Sequence, residues 1–257
     1  MIIESRQNEI VKRARALGGK KARDAQGLHF IEGEKMIGEA LRCHCAFSEA
    51  FIEPGHTALE SKLAEENVRF HIVNRSVMES LTQTDTPQWV CACVKTPDTA
   101  PPCDYPVGLI AALDAVQDPG NLGTIIRTAD AMGACGVLLG TGCADAYAPK
   151  TLRASMGSIY HLPVWRGELP NELQKLKNAD FPLVCGHLQG DEELPQLADR
   201  CVLVIGNEGH GASETVSALC HRYRLRMYGR AESLNASIAA AIMLYQITGT
   251  LHTTQKA

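Results

Sequence analysis

The chain has 257 residues, of which 45% are hydrophobic and 21% charged, with a formal net charge of −4. This is the composition of a soluble globular protein with room for one large domain or two smaller ones, and the net charge argues against a chain that is basic throughout. Aromatic residues make up only 5%, so base stacking on a broad aromatic platform is not the expected mode of binding.

The N-terminal stretch MIIESRQNEIVKRARAL lacks the apolar core and cleavage site of a signal peptide. No apolar run reaches the ~20 residues of a membrane span, so a cytoplasmic location is expected. Residues 1–23 carry seven cationic side chains against Glu4 and Glu9, a local balance of +5. Taken alone, such a run reads as a solvated helix face. It is also able to hold phosphates, with Lys12, Arg13, Lys20, Lys21 and Arg23 as the candidates. Ile10, Val11, Ala14 and Leu17 have helical spacing and predict a helix over 8–17, ended by Gly18-Gly19. LHFIEG (28–33) predicts a strand, EKMIGEALR a helix, AFIEPG a strand, 57–67 a helix, FHIV a strand, RSVMESLT a helix and WVCACV (89–94) a buried strand. Alternation of this kind implies a small α/β sandwich with a mixed sheet. Ten cysteines include the C-x-C pairs 43/45 and 91/93 but no C-x-x-C. Four such thiols bind zinc only if they meet in space; the plain reading is reduced, mostly buried thiols, and no metal is expected.

KTPDTAPPCDYP (95–106) holds four prolines, which oppose both helix and central strand. It reads as a linker (96–106) between an N-terminal domain, 1–95, and a C-terminal domain, 107–257. In the second domain GLIAALD, GVLLG, PLVCGHL, RCVLVIG and YRLRM predict strands. Helices are expected over 122–132, 150–158 and 213–221, and from about 235 to 250. Apolar, unalternating strands sit in a parallel sheet covered on both faces. The last helix, ASIAAAIMLYQITG, is apolar around nearly its whole circumference. That predicts burial on all sides, by deep threading or at a subunit interface.

Three polar islands interrupt this pattern: NLGTIIRTADAMG (121–133), VLVIGNEGHGAS (202–213) and RMYGRAESLNASIAAA (226–241). Each follows a strand-like stretch and opens a helix-like one, where open α/β sheets bind ligands. In the first, Asn121 suits a helix N-cap, and Arg127 has Asp130 at i+3 as a local partner. In the second, three glycines allow close backbone approach to a ligand, and Glu208 stands among them without a nearby cation. The spacing is neither a Rossmann fingerprint nor a P-loop. In the third, Arg222, Arg224 and Arg226 alternate along the predicted strand, and Ser233 and Asn235 are both possible caps of the last helix. The nine histidines show no metal-binding spacing, and Ser155 lacks a nucleophile elbow.

The three islands resemble the three motifs of the SpoU-type RNA ribose 2′-O-methyltransferases, a branch of the SPOUT superfamily, across 107–250. The stretch SRQNEIVKRARAL…FIEGEKMIGEAL is similar to the RNA-binding domain, itself like a small ribosomal protein, that many of these enzymes carry. The resemblance implies a parallel sheet threaded into a trefoil knot, a homodimer, and S-adenosyl-L-methionine bound at Gly206, Leu225 and Leu234, with Leu139, Gly140 and Thr141 bordering the same pocket. It implies Asn121, Arg127, Glu208, Ser233 and Asn235 as active-site residues, and the basic N-terminal segment as a grip on RNA. The additional domain favours rRNA over tRNA as substrate. The implied reaction is displacement of a methyl group from a sulfonium by a ribose 2′-hydroxyl, which needs no metal because the leaving group is already cationic. The family assigns a base role to the counterpart of Arg127. A guanidinium with a pKa above ~12 is a poor base, so stabilisation of the developing oxyanion and a grip on a phosphate are expected instead. Two other readings are a nucleotide-binding oxidoreductase, which lacks its early G-x-G-x-x-G here, and a non-catalytic RNA-binding module, against which Arg127, Glu208 and Asn235 stand together.

Overall fold

A computed structural model describes residues 2–82 and 87–254. The chain divides into two compact units, residues 1–97 with 147–160, and residues 98–146 with 161–257.

The first unit opens with the basic helix α1 (Glu9–Ala16), capped by Asn8, whose side chain accepts the Ile10 N–H. Val11, Ala14 and Leu17 turn one stripe into the core. α2 (Lys20–Gln26) ends at Gly27, whose φ of 61° is the left-handed cap that glycine adopts without strain. Then follow β1 (Leu28–Glu32), α3 (Glu34–Arg42), β2 (Phe47–Ile52), α4 (Thr57–Glu65), β3 (Phe70–Ile72), α5 (Arg75–Leu81) and β4 (Val90–Lys95). The sheet order is β1-β4-β2-β3, with β4 antiparallel to both neighbours and β2 parallel to β3, so the sheet is mixed. Cys91 and Cys93 share one face of β4 and pack with Phe30, Phe51 and Met78. Burial pushes the Cys93 thiol up to about 12. The 91/93 spacing is therefore the period of a strand, and both side chains act as small core hydrophobes.

The second unit contains β5 (Leu109–Leu113), α6 (Pro119–Ala131), β6 (Gly136–Leu139), β7 (Val164–Arg166), α8 (Leu169–Asn178), β8 (Leu183–Asp191), β9 (Cys201–Ile205), α9 (Glu214–Ser217), β10 (His221–Tyr223) and α10 (Ala236–Thr254). α7 (Pro149–Ser155) and a 3₁₀ turn at Ser158–Tyr160 fall in the first unit instead. There the Tyr160 hydroxyl meets His29 Nε2 at 2.9 Å. The proline count placed this segment with the second domain; its burial against β1 is a long-range fact that no local pattern carries. The six strands are all parallel, in the order β10-β8-β9-β5-β6-β7, and β5, β6 and β9 are buried along their whole length.

Four expectations change. The proline-rich segment is no free tether: the Thr99 carbonyl accepts the Arg166 N–H at 2.7 Å, and the Tyr105 ring meets Trp165 edge-on at 5.2 Å. β7 and α8 were not predicted, because a three-residue strand between Pro163 and Gly167 looks like turn. The strand expected over YRLRM stops at Tyr223, so Arg224 and Arg226 share no strand face. Finally, α10 is not buried on all sides by its own chain, which leaves the subunit-interface alternative for its apolar surface. Ala240, Met243, Leu244 and Ile247 face the core, whereas Ile238 (50% exposed), Ile242 (39%) and Tyr245 (71%) leave an open apolar stripe at i, i+4, i+7 spacing. No helix among the described residues is long and apolar enough to cross a membrane.

Candidate active site

β5 and β9 lie side by side in register from Leu109↔Cys201 to Leu113↔Ile205. Their continuations diverge, α6 leading away to β6 and α9 to β10 on the other side of the sheet. Such a divergence opens a crevice at the carboxyl ends of the two strands. The loops that leave them are stitched together across it. Asp114 Oδ2 accepts the Ser213 N–H at 2.7 Å, and Asn207 Nδ2 donates to the Ala115 carbonyl at 2.8 Å. Asn207 Oδ1 accepts the Gly209 and His210 N–H groups at 2.9 and 3.2 Å, which pins the glycine loop in an Asx turn. Ala115 itself has φ 55°, a strained value for a residue with a Cβ, held by the Asn207 bond. A Cβ on Gly206 would overlap the backbone of Gly211 and Ala212, so only glycine lets this loop fold back on itself.

The three islands converge on a single relay. Asn121 Nδ2 donates to Glu208 Oε1 at 3.0 Å, and Asn235 Nδ2 donates to Asn121 Oδ1 at 3.0 Å. Ionised Glu208 only accepts, which orients the Asn121 amide and presents its oxygen to Asn235. Glu208 also accepts the backbone N–H groups of Gln117 and Asp118, each at 3.2 Å. Partial burial raises its carboxyl, but the hydrogen bonds, led by that from Asn121, outweigh burial and hold it below the ordinary carboxylate range. Glu208 is thus an anionic anchor with its acceptors occupied, not a free base.

Capping is shared differently from the expectation. Asp118, not Asn121, caps α6: its Oδ1 accepts the Asn121 N–H at 2.8 Å, with Pro119 at the first helical position. Asn121 sits inside the first turn and its side chain is free to turn to Glu208. Asn235 does cap α10, its Oδ1 accepting the Ser237 N–H at 2.9 Å and the Ser237 hydroxyl at 2.7 Å. One side chain therefore starts a helix with its oxygen and holds the relay with its nitrogen.

A cavity of about 680 Å³ opens beside the relay. Gly206, Glu208, Leu225, Ser233 and Leu234 line it, all singled out from sequence. His187, Gln189, Glu192, Asn207, His210 and Met243 line it too and were not. Asn207 carried a legible signal, an Asn beside glycine; His187, Gln189 and Glu192 owe their place to β8 lying against β9, His210 to the glycine loop and Met243 to α10. Leu139, Gly140 and Thr141 do not line this cavity. β5 stands between β6 and β9, the Gly140 N–H donates to the Leu113 carbonyl at 2.8 Å, and the Thr141 hydroxyl goes to Glu168 at 2.9 Å. Arg127 is exposed on α6 and makes no hydrogen bond or ion pair with the described residues. Asp130 pairs instead with His161 at 2.7 Å, and Arg127 stands outside the relay.

In the first unit Arg13 and Lys21 are exposed, while Lys12 pairs with Glu9 at 2.9 Å and Lys20 with Asp24 at 2.7 Å. These are surface pairs that a phosphate can displace at little cost. Arg23 is different. It is only 6% exposed, and its Nη1 donates to the carbonyls of Leu17 and Gly18 at 2.8 and 2.9 Å. It closes the turn between α1 and α2, and does not present a free guanidinium to RNA.

Residues 108–245 match the SpoU rRNA Methylase family, and residues 8–92 match the MRM3-like substrate binding domain. The chain belongs to the SpoU rRNA methylase family. This SpoU protein is 39% identical over 254 residues to the 23S rRNA (guanosine(2553)-2′-O)-methyltransferase RlmP of Bacillus subtilis, covering 96% of this chain and 99% of that one. It is 35% identical over 188 residues to the 23S rRNA (uridine(2479)-2′-O)-methyltransferase of Streptomyces viridochromogenes, covering 66% of this chain and 63% of that one. Among solved structures, the AdoMet-bound rRNA methyltransferase of Sinorhizobium meliloti superposes with a TM-score of 0.86 at 33% identity, over 96% of each chain. The SpoU methyltransferase AviRb of Streptomyces viridochromogenes, in complex with AdoMet, gives 0.84 at 28% identity over 95% of this chain and 98% of that one.

Proposed function

We propose that this SpoU protein is an RNA ribose 2′-O-methyltransferase that uses S-adenosyl-L-methionine and acts on ribosomal RNA as a cytoplasmic homodimer. The observation that carries the reading is the Glu208–Asn121–Asn235 relay, which joins three loops far apart in sequence and borders one cavity through Glu208. Relatives named as 23S rRNA 2′-O-methyltransferases and the substrate-binding match at residues 8–92 support the choice of RNA.

The cavity suits the methyl donor. Its volume lies in the range of small-molecule sites. Ile205, Leu225, Leu234 and Met243 offer apolar walls for a purine, Gly206 and Gly209 expose backbone, and Glu208 and Glu232 favour a cation. When bound, S-adenosyl-L-methionine supplies a methyl group on an already cationic sulfur. The remaining work belongs to the chain. Asn121 and Asn235 hold the ribose, with Glu208 fixing their orientation so that little is lost to reorganisation. Arg127 grips a phosphate and stabilises the negative charge that develops on the 2′-oxygen as it attacks the methyl group, its proton passing to solvent. Ser233 contacts donor or substrate from the cavity wall. The trefoil knot of the family would run through the loops after β9 and β10. The open stripe Ile238–Ile242–Tyr245 provides the apolar centre of a dimer interface.

The test is transfer of a tritiated methyl group from S-adenosyl-L-methionine to rRNA purified from a strain lacking the gene. The expected product carries one alkali-resistant phosphodiester in rRNA. Label on a base, or in tRNA alone, overturns the reading.

A further inference from the structure

Thirteen Phe, Trp and Tyr residues occur in the chain, and all but Tyr228 and Tyr245 are buried or half-buried. Tyr245 belongs to the apolar stripe of α10. Tyr228 is 90% exposed and lies in the stretch without helix or strand between β10 and α10. Met227 on one side of it and Ala231 on the other line the cavity, so Tyr228 belongs to a loop that borders it. An exposed aromatic on a binding loop has no packing role to explain it.

Its neighbours are cations. Arg226 holds its guanidinium carbon 5.4 Å from the Tyr228 ring centroid. Its nearest carboxylate, Glu192, is 3.9 Å away and already takes a 2.9 Å bond from Arg224. Arg230 makes no hydrogen bond or ion pair with the described residues. A flat ring backed by one guanidinium and flanked by another can stack an unpaired base while the cations meet its phosphates. A hydrophobic protein partner fits less well, because it would bury those charges.

We propose that Tyr228, with Arg226 and Arg230, stacks a splayed nucleobase of the RNA substrate at the cavity rim and so positions the target ribose. This deepens the methyltransferase reading and rests on it. It is a positioning role, and it reconciles an aromatic-poor chain with RNA recognition: one ring suffices for one base.

The test compares Tyr228→Ala, Tyr228→Phe and wild type in binding and methylation of rRNA from the gene-deleted strain. Tyr228→Ala should weaken RNA binding by about ten- to a hundredfold, the loss expected for one stacked base. It should leave S-adenosyl-L-methionine affinity and oligomeric state unchanged, and Tyr228→Phe should retain near-wild-type behaviour. Arg226→Ala should reduce the salt dependence of RNA binding by about one counterion. Wild-type RNA affinity and methylation in Tyr228→Ala overturn the stacking contact while leaving the methyltransferase reading intact. An altered oligomeric state in Tyr228→Ala also overturns it, since the ring would then meet protein. Absence of methylation by the wild type overturns the underlying reading, and the stacking proposal with it.

Discussion

Asn235 serves two partners with two atoms, and substitutions can separate them. Asn235→Asp keeps an acceptor for the α10 N-terminus but removes the donor to Asn121, and sets a second carboxylate near Glu208. It should melt within a degree or two of wild type while methylation falls at least tenfold. Asn235→Ala should lose activity and also about 1 kcal/mol of stability through the missing cap. Equal stability of the two variants would show that the cap contributes nothing. Glu208→Gln replaces a charge that receives three hydrogen bonds, and its methylation rate should fall roughly ten- to a hundredfold. The pH dependence has a definite sign. The folded-state carboxyl of Glu208 lies below its ordinary value of 4.5, so its contribution is fully present above that value and is lost as pH falls through the lower, folded one. Donor binding should therefore weaken, as pH falls through that lower value, more in wild type than in Glu208→Gln. Arg127→Lys keeps the charge but loses the planar fork; a wild-type single-turnover rate with an unshifted pH profile would remove Arg127 from the chemistry.

The basic N-terminal helices divide into residues that face solvent and one that does not. Lys20→Glu/Lys21→Glu should weaken binding of rRNA at low salt by about tenfold and leave S-adenosyl-L-methionine affinity unchanged. Arg23→Ala should instead destabilise the first unit by about 1–3 kcal/mol, because the Leu17 and Gly18 carbonyls lose a charged donor in a buried position. Thermal melting against RNA binding distinguishes the two behaviours. In sequence these cations look alike: the short helix α2 that carries Lys20, Lys21 and Arg23 was not expected, and local spacing does not say which of them points inward. The same limit applies to α6. Asp118, Pro119 and Asn121 all carry helix-start signals, and the choice of Asp118 as cap depended on Glu208 arriving from 87 residues away to claim the Asn121 side chain.

For the assembled molecule, α10 is the element whose surroundings matter most. Its apolar circumference is explained on one side by β8, β9 and α6, and on the other by the open stripe at Ile238, Ile242 and Tyr245. Ile242→Glu should shift the protein from dimer to monomer in sedimentation and leave the far-UV spectrum unchanged. A monomeric wild type, or a dimeric Ile242→Glu, would dispose of that interface.

Local chemistry written in the chain was enough to mark the buried strands and the three polar loops that follow them, whereas the resemblance to a known family was needed to join Asn121, Glu208 and Asn235 as a set. Period-two and period-3.6 patterns and turn residues act over a few neighbours, and those are visible in order along a sequence. The order of strands across the sheet is another matter. It put β5 between β6 and β9, which took Leu139, Gly140 and Thr141 away from the cavity, brought His187 and Glu192 to it through β8, and gave Tyr147–Tyr160 to the first unit. Those outcomes follow from burial and hydrogen bonding between segments dozens of residues apart, and that energy belongs to the packed molecule, not to any stretch of its chain.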